Sequence, residues 1–519
     1  MFYKWRYRYW KNQKVRSTNP IFPLGDVSQA AFRKNIGVVL REIYEAFPEE
    51  RFNGMWFFYR PHLMVRDPDL IKLIFVRDFS YFRDRGVHFN EKTDPISANL
   101  FFMGGTKWRN LRAKLSSNFS SGKLKKIFDV MATKSLNLKD VLSVPADEEK
   151  IIEPKEYTVR YTHDIAASTL LGIQDDSLTN PKAPLPKLGR KLFEPSWPSI
   201  IRNALIFFLP EWANFLRVGI TPSVISNFFT ETITNVMEFE ESERGEESTN
   251  DFMKLLVKLK NEGFVKDVDV KDINGNVDHK VTGAFTESEN TPNLTPENEE
   301  GGCTFTSENA VAQAFIFWMG AFESSATTMQ FALYEMSRNQ TIQDKAREEV
   351  KRVFAKFNGK LTYESLSELE YLGRLVDETL RKYPPVPMLT RICMKSYKIP
   401  GTDVVIEKGI PIVISISGLH MDPKYYPDPE KFEPDRFTEE EKRKRHRYAY
   451  LPFGEGLHQC LGQRYALMQI KIGLANLLAN YKFEVSPKTP NKPKFCRKLV
   501  LYAVRNGIPL KISKLSGEA

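Results

Sequence analysis

The chain has 519 residues, of which 42% are hydrophobic and 27% charged, enough for a globular protein with a large core. Its formal net charge of +10 fits an acidic protein partner or an anionic membrane surface as readily as nucleic acid. Four cysteines (Cys303, Cys393, Cys460 and Cys496) form no C-x-x-C pair, which argues against structural zinc or an iron–sulfur cluster, and so few in so long a chain suit a reducing compartment.

The segment 1–19 carries Lys4, Arg6, Arg8, Lys11, Lys14 and Arg16 interleaved with Phe2, Tyr3, Trp5, Tyr7, Tyr9 and Trp10. It lacks the aliphatic centre of a signal peptide and the ~20 apolar residues of a membrane span. Basic and aromatic residues in this mixture suit a membrane interface, single-stranded nucleic acid or a solvated terminus. Phe32–Ala46 is expected to be an amphipathic helix, Gly54–Val65 strand-like, and Leu70–Val76 a short helical patch. Two linked helices are expected over Trp108–Ser116 and Gly122–Lys139.

Ile200–Phe229 is the most apolar long region, and Pro210 breaks it into pieces too short to span a bilayer. Buried core is the default expectation; a pair of surface helices dipping into a membrane is the alternative. A charged helix is expected over Glu240–Lys260. The acid-rich stretch 263–302 then reads as a flexible surface insertion.

Thr306–Asn309 supplies an N-cap cluster for a long helix reaching Ser337. A second helix spans Thr341–Phe357. Ser365 and Glu368 are spaced as a capping box for a third, which runs to Lys382 and stops at Pro384–Pro385. Short β runs follow at Val404–Ile406 and Pro411–Ser415, then an irregular Pro-rich stretch over Asp422–Phe437. Tyr465–Asn480 is helical, and Lys498–Val504 and Pro509–Ile512 are strand-like. The whole is mainly α with a small β part.

Between the Pro-rich stretch and the last helix lies Phe453-Gly-Glu-Gly-Leu-His-Gln-Cys460-Leu-Gly462. Glycines at 454, 456 and 462 allow tight turns and close approach. A cysteine just ahead of a helix start is biased towards thiolate, a soft ligand for iron. A single cysteine is more often a buried structural residue, but the pattern Phe-x-x-Gly-x-x-x-Cys-x-Gly resembles the haem-ligating loop of the cytochrome P-450 family.

The resemblance covers the chain from about Trp10 to Lys514. It is nearest to the insect microsomal xenobiotic-metabolising group, through the runs Asp78–Arg85, Lys107–Lys114 and Ser121–Lys125. It implies the P-450 fold over 20–514, with haem b bound through Cys460 as axial iron ligand and Phe453, His458 and Gly462 in the loop around it. Trp108 and Arg112 lie i, i+4 on one helical face, and by resemblance they reach the haem propionates together with Arg391. Glu378, Arg381 and Arg436 match a structural trio that pins the Pro-rich stretch to the helix beneath the haem.

At Gly320-Ala-Phe-Glu323-Ser324, small residues would let a flat ligand lie against the helix. The acid beside an alcohol would relay protons as the O–O bond of O2 cleaves. Two positions depart from the family's habit: Ser324 stands where Thr is usual, and Leu457-His458 where Pro-Arg is frequent. The implied reaction is monooxygenation of a small lipophilic substrate with O2, and the expected pocket walls are Phe101, Phe102, Ile201–Phe208, Phe315, Phe317, Trp318 and Val386–Leu389.

The chain lacks a dinucleotide fingerprint, so electrons are expected from NADPH through a separate flavoprotein reductase. The reductase would be steered to the basic run Lys442–Arg447 with Arg464 and Lys471. Relatives of this group begin with a membrane anchor, whereas this sequence starts at the basic stretch that follows one. Either the chain is truncated or it binds the surface through residues 1–16 and 200–229, and the cytosolic face of the endoplasmic reticulum is expected, with no nucleic-acid partner. A haem-thiolate isomerase or dehydratase is the alternative, left open by Ser324 and His458; a non-catalytic haem carrier is a further one.

Overall fold

The computed structural model describes residues 6–30, 32–180, 182–194, 196–242, 250–265 and 303–515. Twelve helices of nine or more residues are numbered here: α1 (Ile36–Glu45), α2 (Gly105–Ser116), α3 (Ser121–Asp147), α4 (Pro154–Ala166), α5 (Pro184–Leu192), α6 (Trp197–Phe208), α7 (Ser223–Glu241), α8 (Asp251–Glu262), α9 (Ser307–Arg338), α10 (Gln340–Lys356), α11 (Glu370–Lys382) and α12 (Gln463–Asn480). Four small sheets accompany them among the described residues, two of them two-stranded (Phe264–Val265 with Cys303–Thr304, and Tyr397–Lys398 with Val405–Ile406). The first runs β1 (Phe52–Phe57), β2 (Arg60–Val65), β5 (Pro411–Ser415), β4 (Met388–Ile392). The second runs β6 (Tyr481–Val485), β7 (Leu510–Lys514), β3 (Ile151–Ile152). The mainly helical class read from the sequence holds.

Helix α9 is the axis. Thr306 and Asn309 form a reciprocal capping box at its start. Most of its length is buried, packed on α4, α7, α11 and α12. One hydrophobic cluster surrounds it; a second lies between α1 and the first sheet. In that sheet β1 and β2 form a hairpin pairing Phe52 with Val65, while β2 runs parallel to β5 with Leu63 opposite Ile412. Gly54 is required there: a Cβ on it would lie 2.2 Å from the Trp10 ring. Trp10 is fully buried and donates Nε1–H to the Met55 carbonyl at 3.3 Å. The described part of the basic N-terminal segment is thus held on the hairpin by Trp10 and by Tyr7, which packs on Trp56 and donates to the Phe58 carbonyl at 3.1 Å.

Several local expectations are corrected. Helix α1 begins at Ile36, because Asn35 caps it by accepting from the Gly37 N–H, and Phe32 lies outside, exposed. Ser365 pairs with Thr362 in a short 3-10 turn and does not cap α11. The first N–H groups of α11 are taken by the carboxylate of Glu349 on α10, at 2.8 Å to Tyr371 and 2.9 Å to Leu372. Lys498–Val504 forms no strand, only an isolated bridge between Phe495 and Val504.

The charged region after α7 is two helices: α7 ends at Glu241, α8 begins at Asp251, and residues 243–249 lie outside the described part. The expected acidic insertion 263–302 also lies outside it, except Gly263–Val265; Phe264–Val265 pairs antiparallel with Cys303–Thr304. The apolar region 200–229 is not wholly core, since Ile201, Trp212, Phe215, Leu216 and Val224 are exposed, Phe215 by 77%. Among the described residues no helix is long and apolar enough to cross a membrane.

Helix α11 carries the strongest buried ion pair. Arg381 Nε and Nη2 grip both Glu378 oxygens at 2.6 and 2.9 Å, and both side chains have no exposed surface. Arg381 also donates to the carbonyls of His420 (2.9 Å), Pro429 (2.8 Å) and Lys431 (3.3 Å), while Glu378 accepts the Glu433 N–H at 2.8 Å. Arg436 approaches Glu378 at 3.6 Å. Burial disfavours charge here, yet Glu378 holds the Arg381 guanidinium protonated with its pKa raised. The irregular stretch after β5 is tied to α11 through these bonds.

Candidate active site

The loop bearing Cys460 is set by its backbone. Cys460 N–H bonds the Phe453 carbonyl at 2.8 Å, and Gln459 N–H bonds Gly456 at 2.9 Å. Gly454 and Gly456 have φ of 71° and 70°, in the left-handed region. Gly456 is also pressed on the π-helical turn Leu73–Arg77: a Cβ would sit 2.1 Å from the Phe75 carbonyl oxygen. Gly456→Ala is therefore expected to lower haem retention and thermal stability, by about 1–3 kcal/mol for a strained αL residue with a clash. Full retention measured by haem-to-protein ratio would refute that. Gly462 differs from the expectation: its φ is −88°, open to any residue, and its Cβ would meet only Phe119 at 4.0 Å.

One residue missed in the sequence links loop and ion pair. His420 is fully buried; its carbonyl accepts from Arg381 and its Nε2 accepts the Leu451 N–H at 2.8 Å. Burial, with Arg381 nearby, pushes His420 down to about 3, so it stays neutral and Nε2 can accept. Its signal in the sequence was faint, a lone His before the Pro-rich stretch.

Around Cys460 the described side chains are cationic. Arg112 on α2 donates Nη2–H to the Gln459 carbonyl at 2.7 Å. Arg391 on β4 lies 4.3 Å over the Phe75 ring and donates to the Thr390 carbonyl at 2.7 Å. Arg85, a second residue that was not singled out, stands 4.8 Å over the Phe101 ring and donates to the Phe101 carbonyl at 3.1 Å. Burial pushes Arg112 down to about 10 and Arg391 to about 9. Arg85 is pushed well down by burial and then by Arg391 and Arg112. Arg112 Nε and Arg391 Nε are buried without a hydrogen-bond partner. Among the described residues no carboxylate is ion-paired with these three guanidiniums, and drawing them from water is costly unless an anion joins them.

Trp108 is buried and stacks on the His458 ring at 3.8 Å, 35° apart. His458 Nε2 lies 2.6 Å from the Arg83 carbonyl, so Nε2 carries the proton, and the buried Nδ1 has no partner. Burial, then Arg85 and Arg391, push His458 well down, leaving it neutral. The one N–H of neutral His458 is thus committed to the Arg83 carbonyl.

The expected bias of Cys460 towards thiolate is opposed by burial. Cys460 is open to the cleft, yet protein surrounds the cleft, and burial pushes its pKa up. The Gly462 N–H, Arg112 and Arg85 pull the other way and do not prevail. A bound metal would have to displace the thiol proton.

Across the cleft, a Cβ built on Gly320 of α9 meets nothing within 4 Å. Gln469 of α12 donates to the Ala321 carbonyl at 2.8 Å and so holds α12 to α9. Exposed Gly320 and Cys460, on otherwise buried elements, with Phe101 and Val386, mark an open slot. Unpaired arginines, a cysteine and a side-chain-free helix face fit a flat, dianionic haem.

Glu323 and Ser324 do not form a pair. Ser324 Oγ donates to the Gly320 carbonyl at 2.9 Å, and Glu323 Oε1 binds Lys155 Nζ of α4 at 2.5 Å. Lys155 also donates to Thr327 Oγ1 at 3.2 Å. Successive helical residues point about 100° apart, which separates the acid from the alcohol. Ser324→Thr adds the methyl that narrows χ1. Peroxide released per NADPH is expected to fall roughly two- to fivefold, the population change given by ~0.5–1 kcal/mol of rotamer preference. Equal release from the two proteins would count against it.

Two further expectations can be set against the packing. Phe315 and Trp318 are core, packed on Phe229 at 5.2 and 4.7 Å, so these two are not walls of the slot, while Phe317 is half-buried, stacked on Phe119 and tilted against Phe252. The run Lys442–Arg447 is largely compensated: Lys442 pairs with Glu439, Lys444 with Glu440 and Glu441, His446 with Asp69 and Arg447 with Glu455, while Arg445 lies between Tyr426 and Phe437.

Comparison with known proteins agrees with this geometry. A family model described as "Cytochrome P450" matches residues 15–510. "Cytochrome P450 6k1" of Blattella germanica is 36% identical over 519 residues, spanning 100% of this chain and 95% of the relative. In Drosophila melanogaster, "Probable cytochrome P450 6a13" is 35% identical over 99% of this chain and 96% of the relative, and "Cytochrome P450 6a8" is 35% identical over 97% and 94%.

Proposed function

Since the chain belongs to the cytochrome P450 family and is a haem-dependent monooxygenase, we propose that it hydroxylates or epoxidises small lipophilic compounds with electrons passed from NADPH by a separate flavoprotein reductase. The isomerase or dehydratase alternative is not favoured by these relatives.

The observation that carries the site assignment is the set Arg85, Arg112 and Arg391 beside Cys460, a cationic cluster that lacks its anion. Arg112 and Arg391 would hold the carboxylates of haem b, Trp108 and Phe453 would pack its edge, and Cys460 would supply the thiolate to its iron. Haem iron bound through cysteinate supplies oxygen activation, since the thiolate pushes electron density that favours O–O cleavage. Ser324 contributes a proton at Oγ by exchanging its bond to the Gly320 carbonyl for one across the slot. Glu323, an acceptor clamped by Lys155, would relay a proton to Ser324 only after that ion pair opens and it has itself taken a proton from water. Phe101, Phe102 and Val386 exclude water from the slot and favour an apolar substrate. A ferrous–CO spectrum tests cofactor and ligand together: a Soret band at the thiolate position supports the reading, and its absence in freshly purified protein overturns it.

Membrane association is proposed from one surface. Ile21, Phe22, Trp197, Ile201, Phe215 and Leu216 are exposed, and Trp212 Nε1 bonds Tyr59 at 2.9 Å, joining the short helix Pro210–Phe215 to the β1–β2 turn. The sequence adds a basic N-terminal segment, whose charge suits an anionic interface such as that of the endoplasmic reticulum. Phe215→Asp is expected to weaken binding to phosphatidylserine vesicles by about tenfold or more, from ~1.5–3 kcal/mol of lost burial. Unchanged co-sedimentation would remove this face from the proposal.

A further inference from the structure

The first turns of α12 after Cys460 line a second cavity, of about 40 Å³, between α12, the start of α3 and the 3-10 turn Glu364–Glu368. Its lining includes Leu124, Leu366 and Met468 with Tyr363, Arg464 and Lys471. Arg464 donates Nη2–H to Ser121 Oγ at 2.7 Å and to Tyr363 at 3.4 Å, while its Nε is buried without a partner. Lys471 Nζ has one long bond, 3.3 Å to the Leu366 carbonyl, and burial pushes its pKa down against the pull of Asp377 and Glu349. Those acids are already engaged, Glu349 on the Tyr371 and Leu372 N–H groups and Asp377 on Tyr450. Two recessed cations thus face one cavity, and among the described residues neither has a carboxylate within ion-pair distance. The compensated run Lys442–Arg447 shows the opposite state.

A cavity of ~10–15 Å³ holds one water, so this one has room for a carboxylate but for no large ligand. We propose that it binds a single carboxylate on a short apolar stem, with the charge on Arg464 and Lys471 and the stem on Leu124, Leu366 and Met468. Two sources present that chemistry: a glutamate side chain of the electron-donating protein, which rests on the function proposed above, and a free short-chain acid.

Haem-loaded full-length protein and its Lys471→Met and Arg464→Gln variants separate them. Butyrate raising the thermal midpoint of the wild type alone, with phosphate and chloride ineffective at equal ionic strength, supports a free acid. Lys471→Met weakening reductase affinity about tenfold or more, as lost charged hydrogen bonds do, with butyrate competing in the wild type, supports the protein side chain. If butyrate has no effect beyond that of chloride and the variant binds reductase as the wild type does, the site is refuted. The ferrous–CO spectrum of each sample shows independently whether haem is retained, so failure here is distinct from failure of the functional reading. Where a variant loses haem, the wild-type butyrate series alone still decides for or against the cavity.

Discussion

Arg381→Ala is expected to be the most destabilising single change in the chain. It strips Glu378 of a bidentate partner in a site with no exposure and frees the carbonyls of His420, Pro429 and Lys431. Breaking a buried pair from one side costs about 3–5 kcal/mol, because an uncompensated charge remains inside. A folded domain holds only ~5–15 kcal/mol in reserve, so the variant should yield little haem-loaded protein at 37 °C. His420 conveys the damage, since the group that positions Leu451 at the head of the cysteine loop is itself held by Arg381. The paired change Glu378→Leu with Arg381→Met should recover part of the loss, as removing both charges avoids the buried orphan. Thermal unfolding of the three proteins decides it; an Arg381→Ala midpoint within a degree or two of wild type would show that the pair is not holding the stretch.

Cys460→Ser is expected to have the largest effect on activity. Groups that merely orient a metal ligand cost about 10–100-fold when removed, so loss of the ligand itself should exceed ~100-fold in NADPH-driven oxidation. A hydroxyl is a far poorer thiolate substitute, since it stays protonated and is a harder donor. The fold should survive, because Cys460 is open to the slot and its side chain fills no core position. Unaltered far-ultraviolet dichroism together with a lost thiolate-type CO spectrum is the expected result. Turnover near that of the wild type would mean that another residue binds the iron.

Much of this was legible in one dimension. Cys460, Glu378 and Arg381 stand in motifs whose spacing is local, and helices such as α9 announce themselves by caps and period. What escaped depends on long-range partners. Glu349 caps α11 from another helix, although Ser365 and Glu368 had the right spacing. Glu323 points at Lys155, 168 residues away, and not at its neighbour Ser324. Arg85 sat inside a quoted run without a role, because nothing local shows that it meets Arg112 and Arg391. Phe315 and Trp318 were apolar on the right helix but on its other face, against α7. The run Lys442–Arg447 could have been read better: Glu439–Glu441 lie three and four residues upstream, at the spacing that pairs charges on a helix.

The cysteines also make the protein its own loading gauge. Cys393 and Cys496 are buried, Cys393 with its thiol pushed up to about 11 by burial, whereas Cys460 is open. A maleimide applied to mixed preparations should mark Cys460 in molecules lacking haem and spare those in which iron occupies the sulfur. Peptide mass analysis would then report the occupied fraction of a batch without optical calibration, and would distinguish a weak catalyst from a partly empty one.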